Sequence, residues 1–202
     1  MSGDDAAALA QDDTLGTDEV PIKMAYSRSN EDQIIERMLA VTDAPTRICV
    51  DIGAKDLENS NVANLVLNHG WRALLIERGI KNFHTLFGKW PPERVCIMYA
   101  TVLPKNVNDL LPKDFDLLSI DIDGQDYHVW AALEARPRMV VIEYNPRKAG
   151  HAVQPQDDAY EWKKSRDFDA YGASRGALLA LADRKGYDLF DHNTDNLFFT
   201  LR

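Results

Sequence analysis

Asp116-Leu-Leu-Ser-Ile-Asp121-Ile-Asp123-Gly124-Gln-Asp126-Tyr127-His128-Val-Trp130 is the stretch that decides the fold. Leu117 to Ile122 is a mostly apolar run of the length expected for a strand covered on both faces. Beyond Gly124 the period changes, and Val129, Trp130 and Leu133 share one helical face. A buried strand that turns straight into a helix is half of a βαβ unit. Asp121, Asp123 and Asp126 crowd that turn. Like charges this close repel, so they make sense facing a cation, either a metal or a charged ligand. The bland alternative is a polar rim in which Asp123 or Asp126 caps the helix start.

The same alternation extends to both sides. Apolar runs at Ile48 to Ile52, Ala73 to Ile76, Val95 to Met98 and Met139 to Ile142 predict four more strands. Between them lie helical patterns at Asn61 to Asn68, around Phe83, Leu86 and Phe87, and at Asn106 to Leu111. A first helix, capped by Ser29 or Asn30, carries Ile34, Ile35, Met38 and Leu39. Residues 146–172 hold Pro146, Pro155 and many charges, which predicts a long functional or mobile loop. Ser174 then caps a helix that Gly186 ends. Tyr187 to Phe190 and Asn196 to Leu201 predict a hairpin joined by Asp191 to Asp195. The expected fold class is α/β: a Rossmann-like, doubly wound, seven-stranded sheet, mostly parallel with a C-terminal antiparallel β-hairpin.

Residues 1–28 are expected to be a disordered acidic leader, and residues 29–202 one domain. Six acids against Lys23 and Arg28 give that leader a net charge of −4 within a chain total of −9. An acidic chain has no electrostatic footprint for nucleic acid or an anionic membrane, so neither is expected as a partner. Cys49 and Cys96 each sit in an apolar run and read as buried thiols. The start shows no basic and apolar leader pattern, and no apolar run approaches the ~20 residues needed to span a bilayer. The expected location is therefore cytoplasmic.

Two strand ends join Asp121 as candidate ligand positions. Val50-Asp51-Ile-Gly53-Ala54 puts an acid and a glycine directly after a buried strand, where backbone can approach a ligand closely. Glu77 ends the second strand, where an acid in a doubly wound sheet accepts hydrogen bonds from ribose hydroxyls. No G-x-G-x-x-G follows the first strand; the segment reads Gly53-Ala-Lys-Asp-Leu-Glu58. That disfavours a dinucleotide pyrophosphate and leaves a nucleoside without phosphates. Glu143-Tyr144-Asn145-Pro146 ends the fifth strand, beside the fourth. Asp121, Asp123, Asp126, Glu143 and Asn145 are thus expected to converge. Trp71, Trp90 and Trp130 read as packing residues, and His69 and His84 as helix-surface residues. His128 and His151 are candidate bases. Trp162, Lys163 and Lys164 are either lid residues or a solvated face.

Together these stretches resemble class I S-adenosylmethionine-dependent methyltransferase-like proteins related to the FkbM-type O-methyltransferases. The likeness covers about residues 46–202. It rests chiefly on Ser119 to Trp130 and Val141 to Pro146, with Ser60-Asn61, Gly70-Trp71, Gly172-Ala-Ser174 and Gly186-Tyr187 in support. It implies that Asp51, Gly53 and Ala54 line the methionine part of the cofactor, and that Ser60 and Asn61 also contact the cofactor. Glu77 would hold the ribose with Arg78 beside it, and Ala100 and Thr101 would lie near the adenine. Asp121 would sit by the methionine amino group or the methyl, and Asp123 and Glu143 would face the acceptor. Asp126, Tyr127, Tyr144 and Asn145 are the further substrate-binding candidates. Relatives of this kind carry Trp-Asp-Gly where this chain has Lys55-Asp56-Leu57, so a cofactor turn that is narrower or altered in its backbone is expected.

The expected activity is methyl transfer from S-adenosylmethionine to a small-molecule or sugar hydroxyl. Asp121, Asp123, His128 and Glu143 are the catalytic candidates. Asp121, Asp123 and Glu143 also form an all-oxygen set suited to a divalent cation such as magnesium. A homodimer is a further candidate assembly. Two other readings stay open: a non-catalytic binding or scaffold protein on a degenerate methyltransferase fold, and a metal-dependent α/β hydrolase using the same carboxylates.

Overall fold

The computed structural model describes residues 26–161 and 167–202. Most of the predicted leader, and Trp162, Lys163 and Lys164, lie outside the described residues. Among the described residues the helices and strands, in chain order, are α1 (Glu31–Leu39), β1 (Ile48–Ile52), α2 (Ala63–Leu67), β2 (Arg72–Glu77), α3 (Ile80–Leu86), β3 (Val95–Tyr99), α4 (Val107–Leu110), β4 (Leu117–Ile120), α5 (Asp126–Ala132), β5 (Met139–Glu143), α6 (Arg175–Lys185), β6 (Tyr187–His192) and β7 (Asn196–Leu201).

The seven strands form one sheet in the order β3-β2-β1-β4-β5-β7-β6. The first five are parallel, and β7 runs antiparallel to both β5 and β6. β1 lies between β2 and β4, so the strand order reverses on either side of it. In open α/β sheets a ligand crevice opens at that switch point, outside the carboxyl ends of the strands.

The pleat sends alternate side chains to two cores. On one face Cys49, Leu117, Met139, Val141 and Phe198 pack with α1, α2 and Leu86 of α3. On the other, Val50, Leu118, Val140, Ile142 and Phe199 pack with α4, α5 and α6. This double coverage is why the central strands carry continuous apolar runs. Trp130 of α5 lies against Phe199 and Tyr187, with ring centroids 5.2 and 5.7 Å away. Such aromatic pairs add ~0.5–1.5 kcal/mol each beyond area burial. At the opposite end from the switch-point crevice, Asp116 Oδ2 accepts hydrogen bonds from the Thr46 and Arg47 amides and the Thr46 hydroxyl. This contact fixes the entries of β1 and β4 together.

Most local signals hold. Ser174 Oγ accepts the Ala177 amide at 3.1 Å, and Gly186 ends α6 in the left-handed region at φ 80°. Four details differ. The Asn30 side chain makes no capping bond; instead Asp32 Oδ2 accepts the amides of Tyr26 and Ser27, and Tyr26 is buried in the α1-side core. Cys96 is exposed rather than buried, because β3 is the outer strand of the sheet. The hairpin loop is shorter than expected, since Asp191 and His192 extend β6 past an irregularity at Leu189/Asp191. β4 stops at Ile120, two residues early. Among the described residues, no helix is long and apolar enough to cross a membrane.

Candidate active site

The crevice is built from the turn that leaves β1. The amides of Gly53 and Ala54 both donate to the Ile76 carbonyl, at 2.9 and 3.3 Å, folding the chain across the end of β2. Gly53 has φ +94°, and a Cβ there would stand 1.9 Å from the Asp121 carbonyl oxygen. Only glycine allows backbone this close to the end of β4. Asp51, one position short of the strand end, is fully covered. Its Oδ2 accepts the Ser60 hydroxyl at 3.2 Å, and Asn61 donates to the adjacent Ser119 hydroxyl at 3.2 Å. Burial pushes the Asp51 carboxyl up to about 6, against the pull of the Ser119 and Ser60 hydroxyls.

β4 ends early because Asp126 captures its continuation. The Asp126 carboxylate accepts the Ile122 amide at 2.9 Å and the Gly124 amide at 2.8 Å. Those bonds replace sheet pairing and hold Asp123 in the left-handed region at φ 56°. Asp126 is buried, and that burial raises its carboxyl to about 7. It is a brace for the turn, and its oxygens point into backbone.

The turn presents Asp121 and Asp123 beside Glu143 from β5. One oxygen from each of the three lies within 4.8 Å of the others. Lys55 reaches into this group: its Nζ is 3.7 Å from Asp121 Oδ1 and 3.8 Å from Asp123 Oδ2. Asp121 Oδ1 is covered and accepts no hydrogen bond among the described residues. Burial raises Asp121 above the usual carboxylate range, with Lys55 opposing the rise. Burial, then the fields of Asp121, Asp126 and Asp123, holds Glu143 well above that range. Desolvation alone would lower the Lys55 ammonium; the fields of Asp121, Asp123 and Glu143 outweigh it and hold it above the ordinary lysine value.

Two cavities meet at this cluster, and Gly53, Lys55 and Asp121 line both. The larger holds about 440 Å³, within the range of small-molecule sites. Its walls include Ile76, Glu77, Arg78, Ala100, Thr101, Val102 and Gln125. Its roof is the 157–161 segment of the long loop. Arg78 donates to the Tyr160 carbonyl at 3.1 Å, Gln125 Oε1 accepts the Asp157 amide at 3.0 Å, and Lys105 pairs with Asp158 at 2.9 Å. The smaller cavity, about 310 Å³, is lined by Arg28, Glu31, Asp51, Ala54, Ser60, Asn61, Glu143 and Asn196, among others.

Asp51, Gly53, Ala54, Ser60, Asn61, Glu77, Arg78, Thr101, Asp121, Asp123 and Glu143 all line one cavity or the other. The remaining candidates do not. His128 Nε2 is bonded to the Gln154 carbonyl at 2.7 Å, and His151 is exposed outside both cavities. The Tyr127 hydroxyl accepts from Arg184 at 2.9 Å, and the Tyr144 hydroxyl donates to the Asn193 carbonyl at 3.1 Å. Asn145 donates to the Phe168 and Tyr171 carbonyls and accepts the Arg147 amide. It ties down the long loop. Leu57 packs against the α1-side core and fills neither cavity, so the expected narrowing of the turn is not seen. Lys55, Gln125 and Arg28 are site residues that sequence reasoning passed over.

No family model matches the chain, and no curated protein matches it. Solved structures do. A S-adenosylmethionine-dependent methyltransferase from Clostridium acetobutylicum superposes with TM-score 0.55 at 9% identity, covering 89% of this chain and 93% of that one. Mitomycin 7-O-methyltransferase gives 0.51 at 14% identity, covering 84% and 54%. Human N-acetylserotonin methyltransferase, solved in complex with SAM, gives 0.50 at 13% identity, covering 86% and 52%. The chain spans about half the length of the latter two. The fold is therefore the Rossmann-like fold of class I S-adenosylmethionine-dependent methyltransferases.

Proposed function

We propose that this chain is a S-adenosylmethionine-dependent methyltransferase acting on a hydroxyl of a small molecule or sugar. One observation carries the reading: Glu77 and Asp121 stand in a single cavity at the switch point, joined by a turn that only Gly53 can make. The residues present fit the cofactor. The larger cavity is lined by mixed apolar and polar groups, and its strand-one turn is not the glycine-rich loop that a pyrophosphate needs. Glu77 would accept from the ribose hydroxyls, and Ala100, Thr101 and Val102 would flank the adenine. Asp51, Ala54, Ser60 and Asn61 would hold the methionine end, and Asp121 its positive groups.

When bound, the cofactor supplies an electrophilic methyl on a positively charged sulfur. The chain's task is then to align an acceptor oxygen and remove its proton. Asp123 and Glu143, at the meeting of the two cavities, are the groups placed to accept that proton. His128 has no part in this scheme. The same carboxylates make an all-oxygen seat for a divalent cation such as magnesium, which would lower the hydroxyl pKa. That seat is shared with the Lys55 ammonium.

Isothermal titration with S-adenosylmethionine and S-adenosylhomocysteine, with and without magnesium, tests the reading. Saturable binding of both is expected. No heat from either at millimolar ligand would end the catalytic assignment and favour a binding or scaffold role. Magnesium binding alone would favour hydrolase chemistry.

A further inference from the structure

Lys55 occupies the space between the two cavities. Its backbone is fixed: its amide donates to the Gly53 carbonyl at 2.8 Å, and its carbonyl accepts the Thr85 hydroxyl at 3.2 Å. Among the described residues its ammonium is held by ion pairs with Asp121 and Asp123. Distances of 3.7 and 3.8 Å to Asp121 and Asp123 are beyond hydrogen-bond reach. The side chain is 44% exposed, and a lysine stem is flexible. Arg28 adds a smaller attraction on Asp121 from the side of the smaller cavity. Thus the cation that the acidic cluster demands is already supplied by this chain, on a movable arm, at the junction of both cavities.

Resting on the proposed function, we propose that Lys55 competes with the cofactor's positive sulfur for the Asp121–Asp123–Glu143 cluster and sets the preference between charged cofactor and neutral product. S-adenosylmethionine and S-adenosylhomocysteine differ by one methyl and one positive charge. Both carry the same adenosine, ammonium and carboxylate. A cation beside the cluster therefore opposes the first ligand more than the second, whether the lysine stays in place or must swing aside. The effect also bears on rate. Methyl transfer removes the positive charge from sulfur, so a nearby ammonium destabilises the bound reactant more than the transition state. Lys55 is a specificity-determining residue in this scheme, acting through the carboxylates it neutralises.

The test is titration of both ligands into wild type, K55Q and K55R. K55Q should tighten S-adenosylmethionine relative to S-adenosylhomocysteine by about two- to fivefold, the scale of one partly screened charge pair. K55R keeps the charge and should keep the wild-type ratio. Raising the salt concentration should shrink the difference between wild type and K55Q. A circular dichroism melt establishes that each variant is folded. An unchanged ratio in folded K55Q overturns the role of Lys55 while leaving the methyltransferase reading intact. Failure of wild type to bind either ligand overturns both.

Discussion

The Cβ position of Gly53 lies 1.9 Å from the Asp121 carbonyl oxygen, so the exit of β1 and the exit of β4 touch through backbone alone. Gly53 also sits at φ +94°. Any side chain there meets two penalties at once: left-handed backbone strain of ~1–2 kcal/mol and a steric overlap that only backbone movement relieves. Gly53→Ala should lower stability by at least ~2 kcal/mol in urea unfolding. It should also abolish cofactor titration heat, because the displaced β4 end carries Asp121. A variant that keeps wild-type stability and binding would show that the two strand exits are not in contact.

Glu77 and Asp121 divide the larger cavity between them. Glu77 Oε1 accepts the Gly79 amide, and the residue lines the cavity. Asp121 keeps a covered oxygen that accepts no hydrogen bond among the described residues. Glu77→Ala and Asp121→Ala should each weaken S-adenosylmethionine binding by ~1–3 kcal/mol, the loss expected when a charged hydrogen-bond partner is removed. They should differ in one respect. Glu77→Ala should weaken both ligands alike, since the ribose is common to them. Asp121→Ala should weaken the charged ligand more.

Asp51 makes the fold sensitive to pH in a defined direction. Its carboxyl is raised from 3.8 to about 6 by burial, so the folded chain binds a proton there more tightly than the unfolded chain. Stability from this group is fully present below about pH 4 and is lost as pH rises toward 6. Such a shift corresponds to roughly 3 kcal/mol. Asp51→Asn cannot ionise, and its carbonyl oxygen can still accept the Ser60 hydroxyl. Urea midpoints measured from pH 4 to 7 should therefore rise for the variant relative to wild type as pH increases. Parallel curves would mean that Asp51 is not the group responsible.

The strands were legible because burial on both faces forces uninterrupted apolar runs, and the caps at Ser174 and Gly186 act within their own turn. Strand ends that carry acids were legible too: of the five polar groups expected to converge, Asp121, Asp123 and Glu143 come together, while Asp51 and Glu77 line different cavities on either side of them. What the sequence could not separate was an acid facing a ligand from an acid facing backbone. Asp126 and Asn145 lie beside true cavity residues yet spend their oxygens and amide on local backbone. Lys55 was missed for the opposite reason. A lysine after a turn reads as solvated, and its partners Asp121 and Asp123 arrive from a distant strand end. Cys96 misled because an outer strand carries the same apolar pattern as an inner one.

The roof of the larger cavity rests on Gly124. A Cβ there would meet the Tyr160 ring at 2.4 and 2.9 Å and Gln154 Oε1 at 3.0 Å, from a residue at φ +149°. Gly124→Ala should therefore push the 157–161 segment off the cavity. Tyr160→Ala removes the nearer obstacle. In a double-mutant cycle, the pair should recover part of the stability lost in Gly124→Ala, with a coupling of ~0.5–3 kcal/mol, as for residues in direct contact. Recovery should be partial, because the backbone strain at Gly124 and the contact with Gln154 remain. The roof and Thr101, proposed to flank the adenine, line the same cavity. Cofactor affinity should accordingly fall in Gly124→Ala and stay low in the double variant, since Tyr160 is then absent from the wall. Strict additivity in stability would place Tyr160 away from Gly124 and leave the cavity without the cover described.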